Sequence, residues 1–315
     1  MIAQTLQVKR TLKRKIMNNS VMNGIIIKAI SGFYYVDCDG TVYECKARGS
    51  FRKTGVSPVV GDKVEFTLTD RTHGTVEAVC ERRNLLIRPL VANIDKLFIV
   101  SAYSTPAPDT LMIDRLTAIA EYNDIEPIIV FNKSDMGAFD ELAHIYNSAG
   151  FKTYIVSASD NIGIDELSKE TRNCICAFAG NSGVGKSSIL NVIFPELQLK
   201  TGEVSEKLGR GRHTTRHTEL YRHALGGFVA DTPGFSSVEE GLLTYEFKLH
   251  LEECFRDFAD YTDNCRFTSC SHTCEKGCGL LEAVSEGKIQ KSRHNSYVAL
   301  YEELKNVEQW SKKGK

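Results

Sequence analysis

In AFAGNSGVGKSS, residues 177–188, an apolar run ends in a glycine-rich turn. Its octet from Gly180 to Ser187 matches G-x-x-x-x-G-K-[ST]. The flanking sequence predicts a buried strand before the octet and a helix after it, which is the context this pattern requires. A purely structural glycine-rich turn is the alternative, and that context disfavours it. The sequence therefore predicts a phosphate-binding loop, called the P-loop below.

Each residue type in the P-loop suits a phosphate group. The glycines let backbone amides surround the phosphates, and the N-terminus of the following helix adds positive potential. Lys186 neutralises the β- and γ-phosphates, which gives it a catalytic role, and the Ser187 hydroxyl is a ligand for Mg²⁺. The predicted nucleotide-binding residues of the P-loop are Gly180, Asn181, Ser182, Gly183, Val184, Gly185, Lys186, Ser187 and Ser188.

Downstream of the P-loop, Asp231-Thr232-Pro233-Gly234 ends another apolar run, GFVAD. The Asp231 carboxylate can reach Mg²⁺ through water, and the Gly234 amide can approach a γ-phosphate. Taken alone, this tetrapeptide is an ordinary turn. After a P-loop, with the threonine-containing stretch RGRHTTRH between them, it indicates a switch that senses the γ-phosphate.

Upstream of the P-loop, the strand-like run PIIVF ends in Asn132, Lys133, Ser134 and Asp135. A carboxylate at Asp135 can accept both N–H groups on one edge of guanine, a donor pair that adenine lacks, while Asn132 holds neighbouring groups. Ser157-Ala158 follows the next strand-like run, where a backbone amide can contact the guanine carbonyl. Either motif alone is weak evidence. Together with a P-loop they predict a guanine nucleotide, GTP or GDP.

The order of these motifs is reversed relative to most GTPases, because the guanine-reading pair precedes the P-loop. A circular permutation explains this order, with the chain entering the same sheet at another strand. From Asn93 to about Asp231, apolar runs alternate with helical patterns, which predicts a parallel sheet.

Length and composition exclude several classes of protein. At 315 residues the chain can form two or three domains. Hydrophobic residues make up 42% and charged residues 25%, which argues against disordered, collagenous and fibrous proteins. No apolar run has the length of a membrane span, and Lys28 interrupts the run from Gly24. We therefore expect a cytoplasmic protein without a membrane partner.

Positive charge is concentrated near the N-terminus. Residues 1–88 contain 15 Lys and Arg against 8 Asp and Glu, and the remainder contains 24 against 32. This asymmetry suits an N-terminal part that contacts a polyanion, with a solvated basic face as the alternative. Residues 1–20 read equally well as a disordered basic arm or as the product of a mis-assigned start, since Met17 and Met22 precede the first strand-like run.

From Gly24 to about Arg83, five short strand-like runs are separated by turns, including Asp39-Gly40 as a hairpin signal. This pattern predicts a small β-barrel. One connecting loop combines an aromatic ring with four cations, a composition that suits RNA phosphates and base stacking. A solvated loop is the alternative. The residues are Lys46, Arg48, Phe51, Arg52 and Lys53.

Four of the ten cysteines lie between Cys265 and Cys278, which in a cytosolic chain favours metal binding over disulfides. Cys265, Cys270, His272 and Cys278 form the pattern C-x4-C-x-H-x5-C, three thiolates and one imidazole for a tetrahedral zinc ion. Cys274 is an additional thiol within this loop and leaves the ligand assignment open. A reduced cysteine cluster without metal is the alternative.

The motifs NKSD, SAS, GNSGVGKSS, GRGRHTTRH and DTPG, in this order between a barrel-like segment and a Cys/His cluster, resemble those of the RsgA (YjeQ/YloQ) family of bacterial ribosome-assembly GTPases. The resemblance covers almost the whole chain from Gly24, including ECKARGSFRK, VVGDKVEF and ERRNLLIRP. It implies a multi-domain fold: an N-terminal OB-fold β-barrel, a central circularly permuted α/β P-loop GTPase domain and a C-terminal α-helical zinc domain. We expect these at 21–85, 86–238 and 239–315.

The resemblance also implies action in late maturation of the small ribosomal subunit. We expect a monomer that hydrolyses GTP with Mg²⁺ when its barrel and zinc modules dock on rRNA. One alternative is a binding module that hydrolyses GTP too slowly to matter and uses it as an occupancy signal. Another, an ATP-dependent enzyme such as a small kinase, is disfavoured by the NKSD motif.

Phe235 follows the DTPG motif, where many GTPases carry a glutamine that orients the attacking water. We therefore expect slow intrinsic hydrolysis and a polar group supplied from elsewhere. His213 is the internal candidate, because imidazole can accept a hydrogen bond from water near neutral pH. Either Thr214 or Thr215 is expected to close on Mg²⁺. Alternatively, His213 is an exposed loop residue or an RNA contact.

Overall fold

The computed structural model describes residues 20–49, 51, 55, 57–87, 89–103, 108–197, 218–223, 226–231 and 244–308. Five strands come first along the chain: β1 (Met22–Ile30), β2 (Phe33–Cys38), β3 (Thr41–Ala47), β4 (Lys63–Leu68) and β5 (His73–Val79). β1 pairs with both β2 and β4, and β5 pairs with both β3 and β4, so the five strands close into a barrel. The predicted N-terminal barrel is confirmed.

The barrel forms because its strands alternate between interior and exterior positions. In β4, Val64, Phe66 and Leu68 are buried while Lys63 and Glu65 are exposed, the period of two expected for a strand with one covered face. The Asp39-Gly40 hairpin is also confirmed. It joins β2 to β3, and both of its residues have positive φ, which tight two-residue hairpin turns require.

The central region is an α/β structure. Its elements are β8 (Lys96–Ala102), α1 (Thr110–Tyr122), β9 (Glu126–Asn132), α2 (Asp140–Ser148), β10 (Lys152–Ile155), α3 (Ile164–Lys169), β11 (Ile175–Ala179), α4 (Lys186–Ile193), β12 (Glu219–Arg222) and β13 (Phe228–Asp231). The strand order is β10-β9-β8-β11-β13-β12. The first five are parallel and β12 is antiparallel. The inner strands β8, β9 and β11 are buried along nearly their whole length because both faces of the sheet are covered, whereas the edge strand β10 is partly exposed.

The barrel and the α/β region share one eleven-stranded sheet, because β1 pairs with the edge strand β12. At this junction Lys28 lies opposite Glu219, and their side chains form an ion pair with 2.8 Å between Nζ and Oε2. Arg222 on β12 forms a second ion pair across the junction, with Asp37 on β2. A small hairpin of β6 (Leu85–Ile87) and β7 (Leu90–Ala92), which the sequence analysis did not predict, connects the two regions along the chain.

The C-terminal part is helical, with α5 (Tyr245–Leu249), α6 (Ala259–Thr262), α7 (Gly279–Ser285) and α8 (Lys291–Leu304). A short 3-10 helix lies at Arg256–Phe258, directly before α6, and another follows α4 of the α/β region at Pro195–Leu197. The Cys/His segment lies between α6 and α7, and α8 packs against α1 of the α/β region. In the parts of the chain that the structure describes, no helix has the length and apolar character needed to cross a membrane.

Candidate nucleotide site and metal centre

The P-loop follows β11 and leads directly into α4. Gly180, Gly183 and Gly185 have φ of 136°, 81° and 92°, values that favour glycine over other residues. A Cβ atom at Gly180 would collide with the carbonyl oxygen of Val100, and one at Gly185 with the side chain of Asn132. Glycine is therefore required at both positions by the contacts as well as by the backbone conformation.

Lys186 opens α4 and is folded back over the loop. Its Nζ donates hydrogen bonds to the carbonyl oxygens of Gly180 (2.6 Å) and Asn181 (2.8 Å). Burial lowers the pKa of Lys186 to about 8, because the ammonium group is removed from water. A neighbouring polyanion would favour the charged form, so this position suits a phosphate contact. Ser187 and Ser188 follow it in the first turn of α4, both half-buried.

The Asn132 side chain connects three segments that are distant in the sequence. Its Nδ2 donates to the carbonyl oxygen of Val184 in the P-loop (2.9 Å), and its Oδ1 accepts from the backbone N–H of Ala158 (3.1 Å). Asn132 is 1% exposed. Since β9, β10 and β11 are parallel, their carboxyl ends lie at the same edge of the sheet, and this amide joins the loops that follow them.

Asp135 is held by the segment that follows β10, which contains Ser157 and Ala158. The Ser157 hydroxyl donates to Asp135 Oδ1 (2.6 Å), and Ser159 Oγ lies 2.9 Å from Ser157 Oγ. The hydrogen bond from Ser157 lowers the pKa of Asp135, so the carboxyl group is ionised at neutral pH and accepts hydrogen bonds. Lys133 has φ of 64° and the Ser134 amide donates to the Val156 carbonyl (3.1 Å), which fixes the turn. The contribution of Ser159 was missed by the sequence analysis.

Several predicted site residues lie outside the described residues, namely His213, Thr214, Thr215 and Gly234, together with Phe235, Arg52, Lys53 and residues 1–19. The backbone of Asp231 is described at the end of β13. The preceding residue, Ala230, pairs with Ala177 of β11, so Asp231 follows the strand next to the one that leads into the P-loop.

The four predicted zinc ligands lie together. One ligand atom from each of Cys265, Cys270, His272 and Cys278 falls within 4.8 Å of all the others. Cys265 Sγ is 3.8 Å from Cys278 Sγ, and His272 Nδ1 is 3.5 and 3.4 Å from these two sulfur atoms. Tetrahedral bonds of about 2.3 Å to sulfur and about 2.1 Å to nitrogen require separations of about 3.8 and 3.6 Å, so this donor set fits a zinc ion.

Three side chains contact His272 and the residue before it. Its Nε2 lies 2.9 Å from Glu252 Oε2, so a proton on Nε2 leaves Nδ1 as the acceptor that faces the sulfur atoms. His294 Nε2 lies 2.8 Å from the His272 carbonyl oxygen, and the Tyr297 hydroxyl donates to the carbonyl of Ser271 (3.1 Å). Cys274 is exposed and does not belong to the four-residue cluster.

Glu252 and His294 were missed as candidates because neither lies in a recognisable ligand spacing. Glu252 is 20 residues before His272, and His294 is 22 residues after it. Only the tertiary structure brings them to the cluster.

Comparisons with known proteins cover most of the chain. The profile of the RsgA GTPase family matches residues 79–240, and the profile of the RsgA N-terminal domain matches residues 23–76. The chain is 43% identical over 290 residues to the small ribosomal subunit biogenesis GTPase RsgA of Caldanaerobacter subterraneus, covering 91% of this chain and 97% of that protein. It is also 43% identical to the protein of the same name from Ruminiclostridium cellulolyticum, covering 93% and 96% of the two chains.

Two solved structures resemble the whole fold. YjeQ from Thermotoga maritima has a TM-score of 0.80 and 36% sequence identity, covering 92% of this chain and all of that chain. YloQ, described as a circularly permuted GTPase, has a TM-score of 0.77 and 34% identity, covering 91% and 96% of the two chains. The predicted permutation is therefore confirmed. This chain is a GTP-hydrolysing enzyme and belongs to the RsgA GTPase family.

Proposed function

We propose that this enzyme binds the small ribosomal subunit, acts in its late maturation and hydrolyses GTP faster when docked on rRNA. The names of its relatives support the ribosomal role, and the basic N-terminal region supports contact with a polyanion. In this proposal the protein is a cytoplasmic monomer. Residues 21–85 and 239–315 form the docking modules, and residues 86–238 form the GTPase domain.

The observation that carries the proposal is the Asn132 amide, which joins the P-loop to both guanine-type motifs. A phosphate cradle and a base pocket are thereby fixed relative to one another. Asp135, held by Ser157, accepts the two N–H groups of guanine. Lys186 neutralises phosphate charge, and Ser187 and Asp231 hold Mg²⁺, directly or through water.

Hydrolysis transfers the γ-phosphoryl group of GTP to water, giving GDP and inorganic phosphate. Phe235 has no group that can orient this water, so we propose His213 for that role and Thr214 or Thr215 for closure on Mg²⁺. His213→Ala should then lose most of the subunit-stimulated rate, with nearly unchanged affinity for GTP and for the subunit. Full stimulated turnover in this variant would assign the role to rRNA or to another residue.

We propose zinc for the Cys265, Cys270, His272 and Cys278 centre, with a structural role. The fit of the ligand separations to tetrahedral geometry supports this ion, and four protein ligands leave no open position for substrate. Metal analysis of the purified protein should find one zinc ion per chain. Cys278→Ser should lower the zinc content while Cys274→Ser should not.

The central experiment measures GTP turnover with and without purified small ribosomal subunits, with ATP as the control nucleotide. We expect slow turnover alone, a large increase with subunits, and no turnover of ATP. Binding to the subunits without an increase in rate would favour the alternative, a GTP-dependent binding module that uses its nucleotide as an occupancy signal. Turnover of ATP in preference to GTP would contradict the base pocket.

A further inference from the structure

The loop between the first two cysteines of the metal centre presents an aromatic ring to solvent. Phe267 is 51% exposed, and its neighbours Arg266, Thr268 and Ser269 are also exposed. Single exposed apolar side chains are common on protein surfaces, and an exposed aromatic ring becomes a candidate binding site when it is held rigidly beside cations.

The loop that carries Phe267 is fixed at both ends. Cys265 and Cys270 anchor it to the metal centre, and the Arg266 amide donates a hydrogen bond to the Gly277 carbonyl (2.9 Å). That bond ties the start of the loop to the segment before Cys278. A short loop held in this way cannot fold its aromatic ring back into a core, so the ring stays outward and little conformational entropy is lost when a ligand covers it.

Two cations accompany the ring. The guanidinium carbon of Arg266 lies 5.5 Å from the centroid of the Phe267 ring. Lys276 is exposed and directly precedes Gly277, which pairs with Arg266. Glu275, which directly precedes Lys276, accepts backbone N–H groups from Ser271, Thr273 and Cys274, so its carboxylate is directed toward residues 271–274.

An apolar ring beside a guanidinium group, with an exposed lysine on the segment that is hydrogen-bonded to the loop, suits a single-stranded nucleic acid. The bases of such a strand stack on aromatic side chains while its phosphates pair with Arg and Lys. A protein partner fits less well, because Lys is depleted at the centre of protein interfaces and both sequence neighbours of Phe267, Arg266 and Thr268, are polar.

We infer that Phe267 stacks on an unpaired RNA base, with Arg266 and Lys276 contacting the adjacent phosphates. This inference rests on the proposed function and deepens it, because it assigns one face of the metal module to single-stranded rather than duplex RNA. The metal is then required for RNA binding as the anchor of the loop.

The test compares Phe267→Leu, which keeps an apolar side chain but removes the aromatic face, with Phe267→Trp, which keeps a stacking face. Affinity of the full-length, zinc-loaded protein for purified small ribosomal subunits is measured with a non-hydrolysable GTP analogue at several salt concentrations. Base stacking on aromatic rings is worth about 1–3 kcal/mol, so we expect Phe267→Leu to bind roughly 5- to 150-fold more weakly with an unchanged salt slope. Phe267→Trp should bind as the parent does.

Arg266→Gln and Lys276→Gln should each lower the slope of log affinity against log salt by about one, as expected for loss of a phosphate contact. Metal content and GTP affinity of the free protein, measured for every variant, should equal those of the parent. A photoreactive phenylalanine analogue at position 267 should cross-link to rRNA.

Parental affinity of Phe267→Leu, or a cross-link to a ribosomal protein instead of rRNA, would overturn this inference and leave the proposed function intact. If the parent protein does not bind the subunit at all, the proposed function fails, and this inference fails with it. These outcomes are distinguishable because the parent is measured in the same titration.

Discussion

Asn132 shows how a single side chain can keep a permuted site intact. An amide offers both a donor and an acceptor, and here these satisfy the carbonyl of Val184 in the P-loop and the backbone N–H of Ala158, which precedes the P-loop in the sequence. Because the contact depends on strand ends meeting at one edge, it is independent of the order in which the chain visits the strands. The permutation therefore changes connectivity and leaves the chemistry of the site unchanged.

At Asp135 we predict a switch of base specificity. Asp135→Asn should weaken GTP binding roughly 10- to 150-fold, because hydrogen bonds to a charged acceptor contribute about 1.5–3 kcal/mol. The variant should favour xanthosine triphosphate, in which a carbonyl replaces the guanine amino group. Competition titrations with both nucleotides measure this change. Asp160→Asn, an exposed neighbour in the next loop, is the matched control, and unchanged GTP affinity of Asp135→Asn would exclude Asp135 from the base pocket.

At Glu252 we predict a loss of metal affinity without loss of a ligand. Glu252→Gln should lower zinc affinity about 10- to 100-fold in chelator competition, since a carboxylate behind a metal-bound histidine fixes its tautomer and orientation. Glu253→Gln is the control, because that side chain is exposed and contacts His250 instead. Equal zinc affinity in both variants would show that Glu252 does not support the centre.

The P-loop, the NKSD motif and the zinc ligands could be predicted from sequence because each is a local pattern in which residue types and spacing carry the chemistry. Glu252 could not be predicted, since its contact with His272 spans 20 residues without any spacing rule. The burial of Arg293 could not be predicted either. This residue is completely buried because it pairs with Asp257 and Asp114, which are 36 and 179 residues away in the sequence.

Among the helices, α8 links the metal centre to the α/β region. Arg293 Nη1 lies 2.7 Å from Asp114 Oδ1 on α1, and its Nη2 lies 2.6 Å from Asp257 Oδ1. The rings of Phe255 and Phe151 flank the guanidinium, with centroids 4.7 and 5.1 Å away. The next residue along α8 is His294, which contacts the carbonyl of His272. One helix therefore contacts both the metal loop and α1.

For this buried triad we predict asymmetric effects on stability. Arg293→Met should lower the free energy of unfolding by about 3–5 kcal/mol, because two buried carboxylates lose the cation that balances their charge. Replacing all three charges, with Asp114→Leu and Asp257→Leu added, should recover much of that loss. Thermal unfolding measures both changes. Lys305→Met, at an exposed ion pair with Glu302 at the end of α8, should have an effect near zero.

A triple variant no more stable than Arg293→Met would contradict this account of the triad. Such a result would mean that the geometry of the charged groups, rather than the charge left unpaired, holds α8 against α1.

At the scale of strands, the sequence predicted the barrel and the parallel sheet but not their junction. The apolar run of β1 predicts a strand, but it contains no signal for the pairing of Lys28 with Glu219, which is 191 residues away. The parallel sheet predicted for Asn93 to about Asp231 is wrong in one strand, because β12 pairs antiparallel with β13. Edge pairing depends on which strand edges the assembled domains leave open.

Across the whole molecule, the basic excess of residues 1–88 lies outside the barrel strands. Residues 1–20 contain five Lys and Arg and no acid, whereas residues 22–79, which contain the five strands, hold seven Lys and Arg against seven Asp and Glu. The sheet junction connects the barrel to β12 of the α/β region. Lys46, predicted in a connecting loop, lies instead on β3, where it is exposed and its Nζ lies 5.1 Å from the centroid of the Phe33 ring on β2. Arg48 pairs with Glu77 at 2.9 Å, so part of its charge is already compensated.

We therefore predict salt-dependent docking in which Lys46 contributes more than Arg48. Each phosphate contact contributes about 0.7–0.9 to the slope of log affinity against log salt. Lys46→Glu should lower the slope for subunit binding by at least that amount, and Arg48→Glu by less. Reversing Lys46, Arg48, Arg52 and Lys53 together should weaken binding most. Lys169→Glu, which changes an exposed lysine on α3 far along the chain from the barrel, is the charge control.

The decisive comparison is between salt titrations of the subunit and nucleotide titrations of the free protein. GTP affinity should be the same in all these variants, because none of them changes a residue of the P-loop, Asp135 or Ser157. Subunit binding that does not vary with salt would contradict docking through RNA phosphates. An equal loss in Lys46→Glu and Lys169→Glu would show that overall charge attracts the protein to the subunit and that the barrel loop has no specific role.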